Sequence, residues 1–173
     1  MKHFLTIGAL SLGLLLTACE KADNDEDNVS AQDRNFVAEM TLSNRTEIAL
    51  SNMALNMATN DSVRQFAQQM ITEHTAADAQ LADIADDLDI DLPADSLNAM
   101  GTTMRTTLMG LSGRAFDSAY ITGQVPAHQA SLAIAQTEIN AGTSGQLRTF
   151  ATDMAPKIQM HLAMADSIST RFR

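Results

Sequence analysis

Three histidines and one glutamate stand where a helical protein would ordinarily place apolar side chains. Steps of three and four residues trace four stripes through the chain. The first runs Phe36, Met40, Ser43, Glu47, Leu50, Ala54 and the second Val63, Ala67, Met70, His74, Ala77, Leu81. The third is Ile121, Val125, His128, Leu132, Ala135, and the fourth Leu147, Ala151, Met154, Ile158, His161, Ala165. Each stripe is the buried face of an amphipathic helix, and each carries one ionisable residue. Burying such groups is costly unless they are paired or hold a metal. Two chemistries fit. Glu47, His74, His128 and His161 could ligate iron, zinc, manganese or copper through imidazole and carboxylate. Alternatively they form a hydrogen-bonded polar layer in which Glu47 accepts from a histidine and the helices are held in register. A ferritin-type di-iron centre is not expected, because no Glu is followed three residues later by His. Glu73 adjoins His74 and so points about 100° away from it around the helix.

The elements that must position these residues are legible. No Gly falls between Gly13 and Gly101 and no Pro before Pro93, and the stretch is rich in Ala, Leu, Met and Gln. Ser30 with Asp33 forms a capping-box start for a helix to about Ala58, and Asn60 caps a second to about Leu88. Pro93 follows a break, and Leu97 to Leu111 reads as a short amphipathic helix inside a long connection. Ser112-Gly113 opens a third long helix to about Asn140, and a fourth runs from about Gln146 to Ile168. Pro126 and Pro156 fall inside these last two and are expected to bend them. Val63-Arg64-x-Phe66-Ala67-x-x-Met70 recurs 84 positions later as Leu147-Arg148-x-Phe150-Ala151-x-x-Met154. The fold class that follows is all-α: a ferritin-like four-helix bundle, two helical hairpins joined by a long crossover containing a short helix. Counted from the turns, Glu47, His74 and His128 lie near mid-bundle, with His161 about one turn off that level.

The amino terminus reads as an address. Lys2 and His3 precede an apolar run from Phe4 to Leu16, about 13 residues and shorter than the roughly 20 that span a bilayer. The run ends in Leu16-Thr17-Ala18-Cys19, which resembles the bacterial lipobox and implies cleavage before Cys19 and lipidation of that residue. Residues 1–18 are then a lipoprotein signal peptide, 19–29 the lipidated Cys and an acidic tether, and 30–171 the bundle domain. Glu20, where an inner-membrane retention signal would have Asp, favours the outer membrane. The expected location is therefore the cell envelope, facing the periplasm, with the membrane as partner through the anchor.

Composition removes other classes of function. The chain of 173 residues carries 21 acidic and 11 basic side chains, a net charge of −10 and one Cys. The acidity argues against nucleic-acid binding, and the single Cys against a disulfide framework or a Cys-based metal site. Five of the acids lie in residues 20–27 and seven in 78–95, so the rest of the domain is nearly neutral. Methionine pairs at Met53/Met57, Met100/Met104 and Met160/Met164 read as packing rather than as Cu(I) ligands. Asp87, Asp89 and Asp91 open like a calcium loop, but Leu92 replaces its Gly and Asn98 its closing Glu. Asp117 and Tyr120 read as a helix-start contact and a buried hydroxyl with a partner. No Ser-centred nucleophile motif or phosphate loop is present.

Several segments together resemble the bacterial "domain of unknown function 4142" family. They are Phe36-Val37-Ala38-Glu39, Glu47, Phe66-Ala67-x-x-Met70, Glu73-His74, Ala115-Phe116-Asp117-x-x-Tyr120, His128, and Pro156 with His161-Leu162. The resemblance spans about residues 32–168 and implies an envelope protein, secreted or lipid-anchored, with a ferritin-like bundle; it implies no reaction. Two functions stay open. One is a non-enzymatic lipoprotein whose bundle is a structural or interaction module. The other is a periplasmic metal-binding or redox protein using the interior His/Glu residues.

Overall fold

The computed structural model describes residues 29–172, so the expected signal peptide, Cys19 and all but the last residue of the expected tether lie outside the described residues. Five helices follow in order: α1 (Ala31–Met57), α2 (Asp61–Asp87), α3 (Ala99–Met109), α4 (Gly113–Ala141) and α5 (Gly145–Ser169), with a closing 3₁₀ turn at Thr170–Phe172. Their ends are set by side chains that meet the orphan amides of a first turn. Ser30 and Asp33 form the expected capping box on α1, and Asn60 accepts from Ser62 and Val63 at the start of α2. Asn98 accepts from the Gly101 amide at 2.7 Å to open α3, and Ser144 accepts from Leu147 to open α5. Just past α2, Asp89 with a φ of 53° turns the chain through the left-handed region while Ile90 bonds back to Ala85. Helices α4 and α5 run without interruption through Pro126 and Pro156.

Two aspartates tie the hairpins together, and they do so in the same way. Asp33, in the first turn of α1, accepts from the Thr143 and Ser144 amides of the α4–α5 turn at 2.9 and 3.1 Å. Asp117, in the first turn of α4, accepts from the Thr59 and Asn60 amides of the α1–α2 turn at 2.9 and 3.0 Å. Asp33 to Asp117, Thr59 to Thr143 and Asn60 to Ser144 each differ by 84 positions, the offset of the sequence echo. The start of each hairpin thus sits on the turn of the other. Helices α1 and α4 therefore run antiparallel, and so do α2 and α5. This is the ferritin-like arrangement, with α3 in the crossover.

The core obeys the same twofold relation and is split in the middle. One apolar cluster gathers Phe36, Met40, Leu81, Leu147, Phe150 and Ile158, and the other Leu50, Val63, Phe66, Met70, Tyr120 and Ile121. Between them each long helix carries buried polar residues: Ser43, Asn44 and Glu47 on α1, His74 on α2, Gln124, His128 and Ser131 on α4, and His161 on α5. Burial of the aromatic and aliphatic side chains, at roughly 1.5–3 kcal/mol each, stabilises the two ends and leaves the middle for chemistry. The crossover is held down by α3, where Gly101 rests on Thr46 of α1, and by Arg45, which donates to the Pro93 carbonyl at 3.0 Å.

Candidate metal centre

His74, His128 and His161 meet in this polar layer. Their ring centroids stand 5.8 Å apart for His74–His128, 5.5 Å for His74–His161 and 5.4 Å for His128–His161. One ligand nitrogen from each lies within 4.8 Å of the others, and all three residues are buried. The one-turn offset of His161 closes because side chains lean toward the amino terminus of their own helix. Helices α2 and α5 run in opposite directions, so His74 and His161 lean toward each other. Pro126, two residues before His128, does not displace it from the group.

Each imidazole is oriented from outside by an acceptor. His74 donates Nδ1–H to Asn44 Oδ1 at 2.9 Å, and His128 donates Nδ1–H to the Gln124 carbonyl at 3.0 Å. His161 donates Nε2–H to the Glu73 carboxylate at 2.8 Å. These acceptors fix the tautomers, so the unprotonated nitrogens are His74 Nε2, His128 Nε2 and His161 Nδ1. All three are buried and have no hydrogen-bond partner. Outward donation by one ring nitrogen with the other left as a lone pair is the arrangement that metal-ligating histidines adopt. Burial also holds the rings neutral. It pulls His74 down to about 3, helped by the other two histidines, and His128 down to about 4 against the pull of the Gln124 carbonyl. Burial lowers His161 too, with Glu73 opposing. Glu73 itself is pushed upward by burial, but its hydrogen bonds with Gln69 and His161 outweigh that and hold it below the usual glutamate value.

Glu47 does not join the histidines. It lies one turn past Asn44 and about 60° around α1, which turns its carboxyl toward α3 and α4 instead of α2. There it lines a small void of about 50 Å³ together with Ser43, Thr46, Gly101 and Ser131. Burial pushes it up to about 8, the nearby Gln124 amide opposes this only in part, and no hydrogen bond reaches its Oε2. The expected pairing of Glu47 with a histidine is thus corrected: Asn44, Gln124 and Glu73 are the histidines' partners. Nothing in the helical stripe marks Glu73, which reaches His161 from the neighbouring face of α2. Asn44 had a signal, since it stands 84 positions before His128. Tyr120 and Asp117 behave as expected, the tyrosine hydroxyl bonding Ser51 at 2.8 Å and the aspartate capping the turn.

A cavity of about 270 Å³ reaches the centre between α2 and α5, with His74 and His161 in its wall. Glu73, Gln80 and Lys157 ring its mouth, and Met40, Phe150, Met154 and Ile158 line its depth. Three neutral imidazoles facing inward beside such a chamber can hold a divalent ion and leave a coordination position for an outside ligand.

The family model described as Domain of unknown function (DUF4142) matches residues 18–168. Among solved structures, the fold is similar to the crystal structure of a Streptomyces coelicolor protein that carries the name secreted protein DUF305. The TM-score is 0.71 at 14% identity, covering 83% of this chain and 92% of that one. A likeness at that identity shows the ferritin-like helical fold alone. No curated protein matches the chain in sequence. Among the described residues, no helix is long and apolar enough to cross a membrane.

Proposed function

The chain belongs to the DUF4142 family, and from that premise we propose that it is an extracytoplasmic, membrane-tethered metal-binding protein whose three histidines hold one divalent transition-metal ion. The observation that carries this reading is the convergence of three buried imidazoles, a ligand nitrogen of each within 4.8 Å of the others, together with one ring nitrogen on each that has no partner. A polar layer built only to fix helix register would pair those atoms, because each unsatisfied buried group costs about 1–3 kcal/mol. A donor set of neutral imidazoles favours zinc or copper over manganese, which prefers carboxylates. His74, His128 and His161 are the ligands, and Asn44, the Gln124 carbonyl and Glu73 hold them in place. The tether follows from the signal-like leader and the lipobox-like Leu16-Thr17-Ala18-Cys19, with outer-membrane placement favoured by Glu20. The secreted designation of the structural neighbour agrees with a place outside the cytoplasm.

The test is metal analysis of the soluble chain from Glu20 onward after equilibration with zinc and removal of excess. One zinc per chain is expected, and a His74→Ala/His161→Ala variant retains none. A folded wild-type chain without stoichiometric zinc or copper refutes the metal reading and leaves a non-enzymatic structural or interaction module. Palmitate labelling that survives Cys19→Ala refutes the anchor.

A further inference from the structure

The 84-residue repeat explains why a cavity lies beside the histidines. His128, His161 and His74 have Asn44, Ala77 and Ile158 as their repeat-related positions, and all three of these line the cavity. One half of the pseudo-twofold layer carries imidazoles. The other half carries shorter or apolar side chains that leave a chamber of about 270 Å³. A dry cavity of about 150 Å³ holds benzene, so this one has room for a phenyl ring with a short chain. Its depth is apolar and adaptable, walled by Met40, Phe150, Met154 and Ile158. Its inner end is polar. Asn44, 2% exposed, lines the chamber and uses Oδ1 for His74, while its Nδ2 donors have no partner.

Charge selects among the ligands that would fit. A divalent ion on three neutral imidazoles, with the Glu73 carboxylate against His161, leaves one net positive charge in a buried layer. A monoanionic donor neutralises it, and Lys157 at the rim places a further positive charge on the entry path. We propose that the cavity binds a small apolar monocarboxylate, one carboxylate oxygen on the metal, the other accepting from Asn44 Nδ2, and the tail in the chamber between α2 and α5. This rests on the metal reading above and extends it to the class of ligand.

The experiment uses the mature chain loaded with Co(II), whose visible d–d bands report its coordination. 3-Phenylpropanoate is expected to shift those bands saturably, at a concentration about 30-fold lower than acetate needs, because its tail buries apolar surface that acetate lacks. Ala77→Phe, which fills the chamber, brings 3-phenylpropanoate to the acetate level while the Co(II) spectrum without carboxylate is unchanged. Equal concentrations of the two carboxylates in the wild-type chain overturn the proposal, and that comparison stands whether or not Ala77→Phe folds. Co(II) bands that form but do not respond to either carboxylate overturn it while leaving the metal reading intact. Absence of any Co(II) band overturns both.

Discussion

Replacing Glu47 by Gln separates a buried neutral acid from a metal ligand. Glu47 is 3% exposed, and burial raises its carboxyl to about 8 from an ordinary value of 4.5, so the folded chain keeps it protonated where the unfolded chain ionises it. The folded state binds the extra proton, so this group's stabilisation is fully present below about pH 4.5 and is lost as pH rises through 8. At about 1.36 kcal/mol per unit of pKa difference, the loss between pH 5 and pH 8 comes to about 3 kcal/mol. Gln has the shape of the protonated side chain and does not titrate. Glu47→Gln should therefore be increasingly more stable than wild type as pH rises, the gap widening by about 3 kcal/mol over that range. Urea unfolding of both metal-free chains, followed by far-UV circular dichroism at pH 5, 6, 7 and 8, measures it. The variant should also bind zinc with unchanged stoichiometry, since its carboxyl faces α3 and α4. Parallel stability curves refute the buried-neutral reasoning, and loss of zinc from a folded variant refutes the placement of Glu47 outside the centre.

Zinc affinity should fall by at most about tenfold in all between pH 7.5 and 5.5, because His74 and His128, at about 3 and 4, carry no proton for the ion to displace in that window and His161, lowered by burial, offers at most one. Isothermal titration at both pH values checks this, and a drop of about tenfold per pH unit contradicts it. Asp33→Asn and Asp117→Asn should each lower stability by about 2–3 kcal/mol in thermal melts at pH 7, since each weakens charge-assisted bonds to two turn amides. For Asp33, burial pushes the carboxyl up, but the bonds from Ser30, Thr143 and Ser144 prevail and hold it well below the aspartate range. Its contribution is present above pH 3.8 and fades as pH falls below that value. Gly101→Ala should destabilise by about 1–3 kcal/mol, because the added methyl meets Thr46 Cγ2 where α3 crosses α1, and Thr46→Ala in the same chain should restore most of it.

Much of this architecture was legible in local chemistry. The capping box at Ser30 and Asp33, the Asn60 cap and the break before Pro93 are contacts among residues a few positions apart, so spacing alone reveals them. The repeat of Val63 to Met70 at Leu147 to Met154 pointed to two equivalent hairpins, and the paired aspartate caps bear that relation out. The stripe periodicity also put His74, His128 and His161 on buried faces, where they are. It placed Glu47 on a buried face too, but periodicity gives a residue's angle around its own helix and not which neighbour that angle meets.

Caps and periodicity are read within one element and, with the 84-position echo, they give the helices, their ends, the hairpin pairing and the three interior imidazoles. Membership of the centre depends instead on how the helices pack. Glu73 reaches His161 across 88 positions of chain, and Asn44 reaches His74 across 30. The antiparallel run of α2 and α5 closes the axial offset of His161, and a rotation of about 60° around α1 separates Asn44 from Glu47. These are matters of relative height and rotation between packed helices, and they are fixed when the two apolar clusters close around the layer.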